Sequence, residues 1–106
     1  MLIFELNPKG RDLFILMKCQ FDIRIFGRVQ GVGFRAAARN QARSLKLHGW
    51  VENLPDGSVR AVVSGEDAAC HSFLRWCREG SGYSWTERVE VKDMETEVTK
   101  GFYIKY

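Results

Sequence analysis

The 106-residue chain predicts an α+β domain of split βαβ, ferredoxin-like plan, two helices lying on one face of an antiparallel-dominated sheet in the order β-α-β-β-α-β-β. Three observations carry this expectation. Apolar residues alternate from Cys19, a glycine-rich loop opens into an alanine-rich helix, and a Pro-Asp-Gly turn joins two apolar runs. In the first strand Cys19, Phe21, Ile23 and Ile25 are separated by Gln20, Asp22 and Arg24, the period of a half-buried strand. The strand runs into Gly27, Gly31 and Gly33, and then into Phe34 to Arg43, where Phe34, Ala38, Ala42 and Leu45 fall at helical spacing and form the core face. The segments His48 to Asn53 and Val59 to Val63 flank Leu54 to Ser58, so they form an antiparallel hairpin. A second helix carries Ala69, Phe73 and Trp76 on one face and stops near Gly80, a glycine in the favoured C-terminal place. Strands around Arg88 to Val91 and at Phe102 to Tyr106 complete the order.

This length accommodates one domain, and 45% hydrophobic with 27% charged residues excludes disorder. Residues 1 to 16 mix Glu5, Lys9, Arg11 and Asp12 with Pro8 and Gly10, and are expected to be an extension outside a domain spanning 17–106. Leu2 to Leu6 is too short to span a membrane and contains Glu5, so no membrane partner is expected. The net charge of +3 suits a small anionic ligand as well as a nucleic acid. Three cysteines, an odd count, predict reduced thiols and a cytoplasmic location. Cys70 and Cys77 stand seven apart on a helix, about 10.5 Å at ~1.5 Å per residue, which is too far for a disulfide. There is no CxxC and no histidine cluster at ligand spacing, so no metal or cofactor is expected, and His48 and His71 are read as structural.

The chemistry concentrates at the first loop. Glycines between a strand and a helix let consecutive N–H groups face one concavity, and the helix N-terminus behind them adds about half a positive charge. Arg35 sits in the first helical turn, where the dipole repels a cation by roughly 0.3 to 1 kcal/mol. That placement makes sense if an anion, most naturally phosphate, lies there too. The structural alternative is an arginine paired with a carboxylate. Gly31 to Ala36 also fits the dinucleotide pattern G-x-G-x-x-A, but that site needs several buried parallel strands, and here the next strand returns at once through a hairpin. Arg35, Arg39 and Arg43 make a basic stripe, ordinarily a solvated face. Asn53 ends its strand just before a turn, where an asparagine needs no function, yet the crossover brings that strand end toward the loop.

The run Phe26 to Arg35, with Ala42, Leu47, Gly49 to Asn53, Asp56 to Val59, Gly65 and Phe102 to Tyr106, resembles the acylphosphatase family over about residues 18 to 106. The resemblance implies a metal-free enzyme that hydrolyses small acyl phosphates to carboxylate and inorganic phosphate. It implies that the loop Gln30, Gly31, Val32, Gly33 and Phe34 binds phosphate through backbone amides, that Arg35 holds it, and that Asn53 positions the attacking water. A monomer with small-molecule partners, acyl phosphate and inorganic phosphate, is expected, and no nucleic acid. The extension 1–16 and a proline-free loop at Gly80 to Trp85 depart from the family pattern. Asp56 stays open as a general base. The alternative to an enzyme is a non-catalytic ferredoxin-like module binding an anion or nucleic acid. Lys100-Gly101-Phe102 echoes an RNA-recognition signature, but the spacing then breaks. A domain of a larger carbamoyl-transfer machine is disfavoured by the single-module length.

Overall fold

The computed structural model describes residues 18–95, 98 and 100–106. The expected extension 1–16 lies outside the described residues. Strand β1 (Lys18–Arg28) leads to helix α1 (Phe34–Ser44), the hairpin β2 (His48–Asn53) and β3 (Val59–Glu66), helix α2 (Asp67–Glu79), then β4 (Trp85–Asp93) and β5 (Phe102–Lys105). The sheet order is β4-β1-β3-β2-β5. Strand β3 is antiparallel to both β1 and β2, so those two run parallel with β3 inserted between them. The split is what makes room for both helices on one face.

The alternation in β1 does what its period requires: Phe21, Ile23 and Ile25 are buried in the core. On α1, Phe34, Ala38 and Ala42 are buried, while Leu45 is only partly covered. On α2 the buried set is Cys70, Phe73, Leu74 and Cys77, with the expected Ala69 and Trp76 packed at its margin. Gly27 belongs to the strand rather than the loop. A register shift between Phe26 and Gly27 keeps β1 paired with Trp85 and Thr86 of β4. At φ 137°, Gly27 lies so close to the Trp85 carbonyl oxygen that a Cβ there would collide with it.

The expectation of reduced thiols is corrected. Cys19 and Cys70 are joined as a disulfide across 51 residues, with a Cα separation of 6.7 Å. Spacing along one helix tested only Cys70 against Cys77. The partner is the inward-facing Cys19 at the start of β1, against which α2 packs. With that pair joined, the cysteine count no longer argues for a cytoplasmic location. Cys77 is a buried free thiol, and burial pushes its pKa up, which makes it an inert core group. Among the described residues no helix is long and apolar enough to cross a membrane.

The sheet face away from the helices carries a polar network. Arg60 Nε and Nη2 donate to the two carboxylate oxygens of Asp22 at 3.0 and 2.9 Å. Glu52 lies 3.6 Å from the same guanidinium. The Arg60 hydrogen bonds hold Asp22 below its ordinary pKa of 3.8. A carboxyl depressed on folding stabilises above its unfolded pKa, and that contribution is lost as pH falls through the folded value. Asp22→Asn is therefore expected to lower stability at pH 7 by up to about 1 kcal/mol and to make the loss between pH 5 and 2 shallower, on the scale of part-exposed pairs. Urea midpoints measured against pH check this. An unchanged acid limb in the variant contradicts it.

Helix α1 ends in a Schellman arrangement, with Leu47 N–H donating to Ala42 O at 2.9 Å and Lys46 N–H to Arg43 O at 3.0 Å. The residue that must turn left-handed is Lys46, at φ 59°, the one non-glycine with positive φ among the described residues. A lysine there costs about 1 kcal/mol that glycine would avoid.

Candidate active site

The loop between β1 and α1 is fastened at both ends by buried side chains, Val29 and Phe34. Between them Gly31 (φ 74°) and Gly33 (φ 79°) take left-handed conformations. Gly33 is the N-cap of α1 and supplies no side-chain acceptor. No acidic residue stands in the first turn either. The first amides of the helix, which have no intrahelical acceptor, are thus uncapped.

A cavity of about 180 Å³ opens at this helix end, lined by Val29, Gly31, Gly33, Phe34, Arg35, Ala36, Ile104 and Tyr106. Arg35 is paired with no carboxylate among the described residues. Its guanidinium instead stands 5.1 Å from the centre of the Tyr106 ring. The carboxylate-paired alternative for Arg35 is therefore not what the described residues form. The cavity joins a dipole end, uncapped N–H groups and an unneutralised guanidinium, a combination suited to a tetrahedral dianion.

Of the predicted loop residues, Gln30 has a side-chain task of its own. Its Nε2 donates to the carbonyls of Leu54 and Ser58, both at 2.8 Å. The loop is thereby tied to the turn that begins one residue after Asn53. Asn53 closes β2 opposite Val59 and does not line the cavity itself. Its Oδ1 is buried and has no hydrogen-bond partner among the described residues. Such an acceptor costs about 1 to 3 kcal/mol unless something donates to it.

Asp56 is otherwise engaged. Ser58 donates to Asp56 Oδ1 through both its backbone N–H and its hydroxyl, and these bonds lower the carboxyl pKa. Both Ser58 bonds fall on one carboxylate oxygen, so Asp56 closes the turn.

Sequence reasoning missed Tyr106 and Ile104 as walls of the cavity. The signal was the β2–β5 pairing: the strands run parallel with Val51 beside Ile104 and Glu52 beside Lys105. One further step sets Tyr106 at the level of Asn53. In the basic stripe only Arg35 reaches the cavity. Arg39 Nε approaches Asn40 Oδ1 at 3.4 Å, and Arg43 Nε donates to Phe102 O at 3.1 Å, which ties α1 to β5.

The acylphosphatase family model matches residues 21–104. The chain belongs to the acylphosphatase family. An acylphosphatase from Thermococcus kodakarensis is 46% identical over 82 residues, which cover 77% of this chain and 90% of that one. One from Roseiflexus sp. strain RS-1 is 47% identical over 81 residues, 76% of this chain and 87% of the relative. The crystal structure of acylphosphatase from Bacillus subtilis superposes with a TM-score of 0.80 at 37% identity, covering 85% of this chain and all (100%) of that one. The same fold occurs inside full-length HypF, at a TM-score of 0.74 and 30% identity, where it accounts for 12% of that chain. The match covers most of the length of the Thermococcus, Roseiflexus and Bacillus relatives.

Proposed function

We propose that the chain hydrolyses the carboxyl–phosphate bond of small acyl phosphates, with the phosphoryl group seated in the cavity at the α1 N-terminus. The carrying observation is the meeting, in one small cavity, of uncapped loop amides and an Arg35 that no carboxylate among the described residues pairs. In this reading the amides of Gln30 to Phe34 and the Arg35 guanidinium neutralise the phosphoryl oxygens. Asn53 Oδ1 accepts a hydrogen bond from the attacking water, which supplies the donor that this buried oxygen lacks. Water oxygen bonds to phosphorus while the phosphorus–acyl oxygen bond breaks, and that electron pair leaves on the carboxylate. The water's proton goes to a phosphoryl oxygen of the substrate, giving carboxylate and dihydrogen phosphate. Carboxylate is a good leaving group, so positioning and charge neutralisation carry most of the rate.

The partners in this reading are acyl phosphate and inorganic phosphate, acting on a monomer. No metal or other cofactor takes part and no nucleic acid is bound. The test is release of benzoate and phosphate from benzoyl phosphate by the purified protein, in excess EDTA. Inorganic phosphate is expected to inhibit competitively because it occupies the same cradle. Turnover that requires an added metal, or purely noncompetitive inhibition, contradicts the proposal.

A further inference from the structure

At the other end of the β2–β5 pair lies a second groove, about 420 Å³, lined by Arg43, Lys46, Leu47, His48, Lys100, Gly101, Phe102 and Tyr103. The two parallel strands run from this groove toward Asn53, five residues from His48, or about 16 Å at ~3.3 Å per residue. It is therefore separate from the Arg35 cradle. Arg43 and Lys46 from the end of α1, and Lys100 from the residues before β5, bring three cationic side chains to it. Among the described residues no carboxylate lines it or pairs with these three groups.

The backbone that carries these basic residues is held in place, and the Arg43 side chain is hydrogen-bonded, while Lys46 and Lys100 are exposed. Gly101 N–H donates to His48 Nδ1 at 2.8 Å, and Gly49 N–H donates to Gly101 O at 2.9 Å, which fastens the Lys100 segment onto the start of β2. His48 with Nδ1 as acceptor carries its proton on Nε2, a further donor. The Arg43 Nε bond to Phe102 O fixes that guanidinium and leaves its terminal nitrogens free to donate. Lys46 stands where the helix C-cap favours glycine, so its side chain is placed at a backbone cost. Basic groups at a helix C-terminus also complement its dipole, but the dipole supplies only about half a negative charge against three full positive ones. The last helical carbonyls are moreover already bonded to Leu45, Lys46 and Leu47 N–H.

We infer that this groove is a second anion site, and that it takes a chain of linked phosphates. Three cations along one open groove match the several negative charges of linked phosphates better than those of a single phosphate, with Tyr103 and Phe102 as an apolar wall. The chemistry is shared by inorganic polyphosphate and by the phosphate tail of a nucleoside triphosphate. It goes beyond the proposed activity, because nothing in the hydrolysis uses these residues.

The test is an amide chemical-shift titration of the full chain with sodium tripolyphosphate. Shifts are expected at Leu47 to Gly49 and at Gly101 and Phe102, besides any at the 30–36 loop. Lys46→Gly combined with Lys100→Ala is expected to weaken the groove response at least tenfold, with benzoyl phosphate turnover kept within twofold. Lys46→Gly alone is expected to leave the melting temperature unchanged or raised, so that lost binding is not lost folding. In Arg35→Ala the groove shifts persist, which separates this site from the cradle and from any failure of the proposed activity. ATP binding more tightly than tripolyphosphate assigns a nucleotide, and equal affinity assigns the phosphate chain alone. Groove amides that stay still at millimolar tripolyphosphate, shifts that survive the double substitution, or equal affinity for monophosphate would overturn the inference.

Discussion

Arg35→Ala is expected to lower kcat/KM for benzoyl phosphate by roughly 10³-fold or more, about 4 kcal/mol, while leaving the fold within about 1 kcal/mol of the parent. The two effects separate because they act on different states. Without an anion, Arg35 gains an exposed cation–π contact of about 0.5 to 1 kcal/mol with Tyr106. It loses a similar amount to the positive end of its own helix. Those terms nearly cancel. With phosphoryl charge in the cavity, the guanidinium and the dipole act together on the same oxygens. Arg35→Lys is expected to recover little, since an ammonium lacks the planar two-donor fork. Melting temperature and phosphate release, measured on the same preparation, check both halves. An active alanine variant contradicts the assignment, and an inactive but unfolded one makes Arg35 a structural residue.

Asn53→Ala is expected to reduce kcat by on the order of a hundredfold, with a much smaller change in the inhibition constant for inorganic phosphate. A group that orients water acts mainly in the transition state, whereas in the proposed site phosphate is held by the loop and Arg35. Stability offers an independent sign. The substitution removes a buried acceptor that has no partner among the described residues, so the folded state is expected to tolerate it. A residue needed only for the turn behaves in the opposite way, with kcat kept and stability lost. Asn53→Asp is expected to give no rescue, because a carboxylate beside the cradle repels the phosphoryl anion. Steady-state kinetics with phosphate as inhibitor distinguish these outcomes.

Where the architecture was legible in the chain, a local rule and a global one agreed. The alternation from Cys19 to Ile25 is a strand period, and the same residues meet the helices in the core. Phe34, Ala38 and Ala42 repeat at helical spacing and are the buried face of α1. The glycine loop and Arg35 were readable because a missing cap and a cation in a first helical turn are unfavourable unless an anion is present. What stayed hidden depended on contacts distant in sequence. Gly27 is identified as a bulge only by the approach of β4. The Cys19–Cys70 pair is set by how α2 lies on β1, information absent from spacing along either element. The places of Ile104 and Tyr106 follow from parallel β2–β5 pairing across a long connection, and the tie from Gln30 to the Leu54–Ser58 turn closes across 24 and 28 residues.

Running the benzoyl phosphate reaction in ¹⁸O-labelled water tests the central claim most directly, because the proposed roles put phosphorus, not the acyl carbon, in reach of a water on Asn53. Mass spectrometry of both products is expected to find one labelled oxygen in the released phosphate and none in benzoate. Label in benzoate, meaning attack at the acyl carbon, contradicts the roles given to the loop, Arg35 and Asn53.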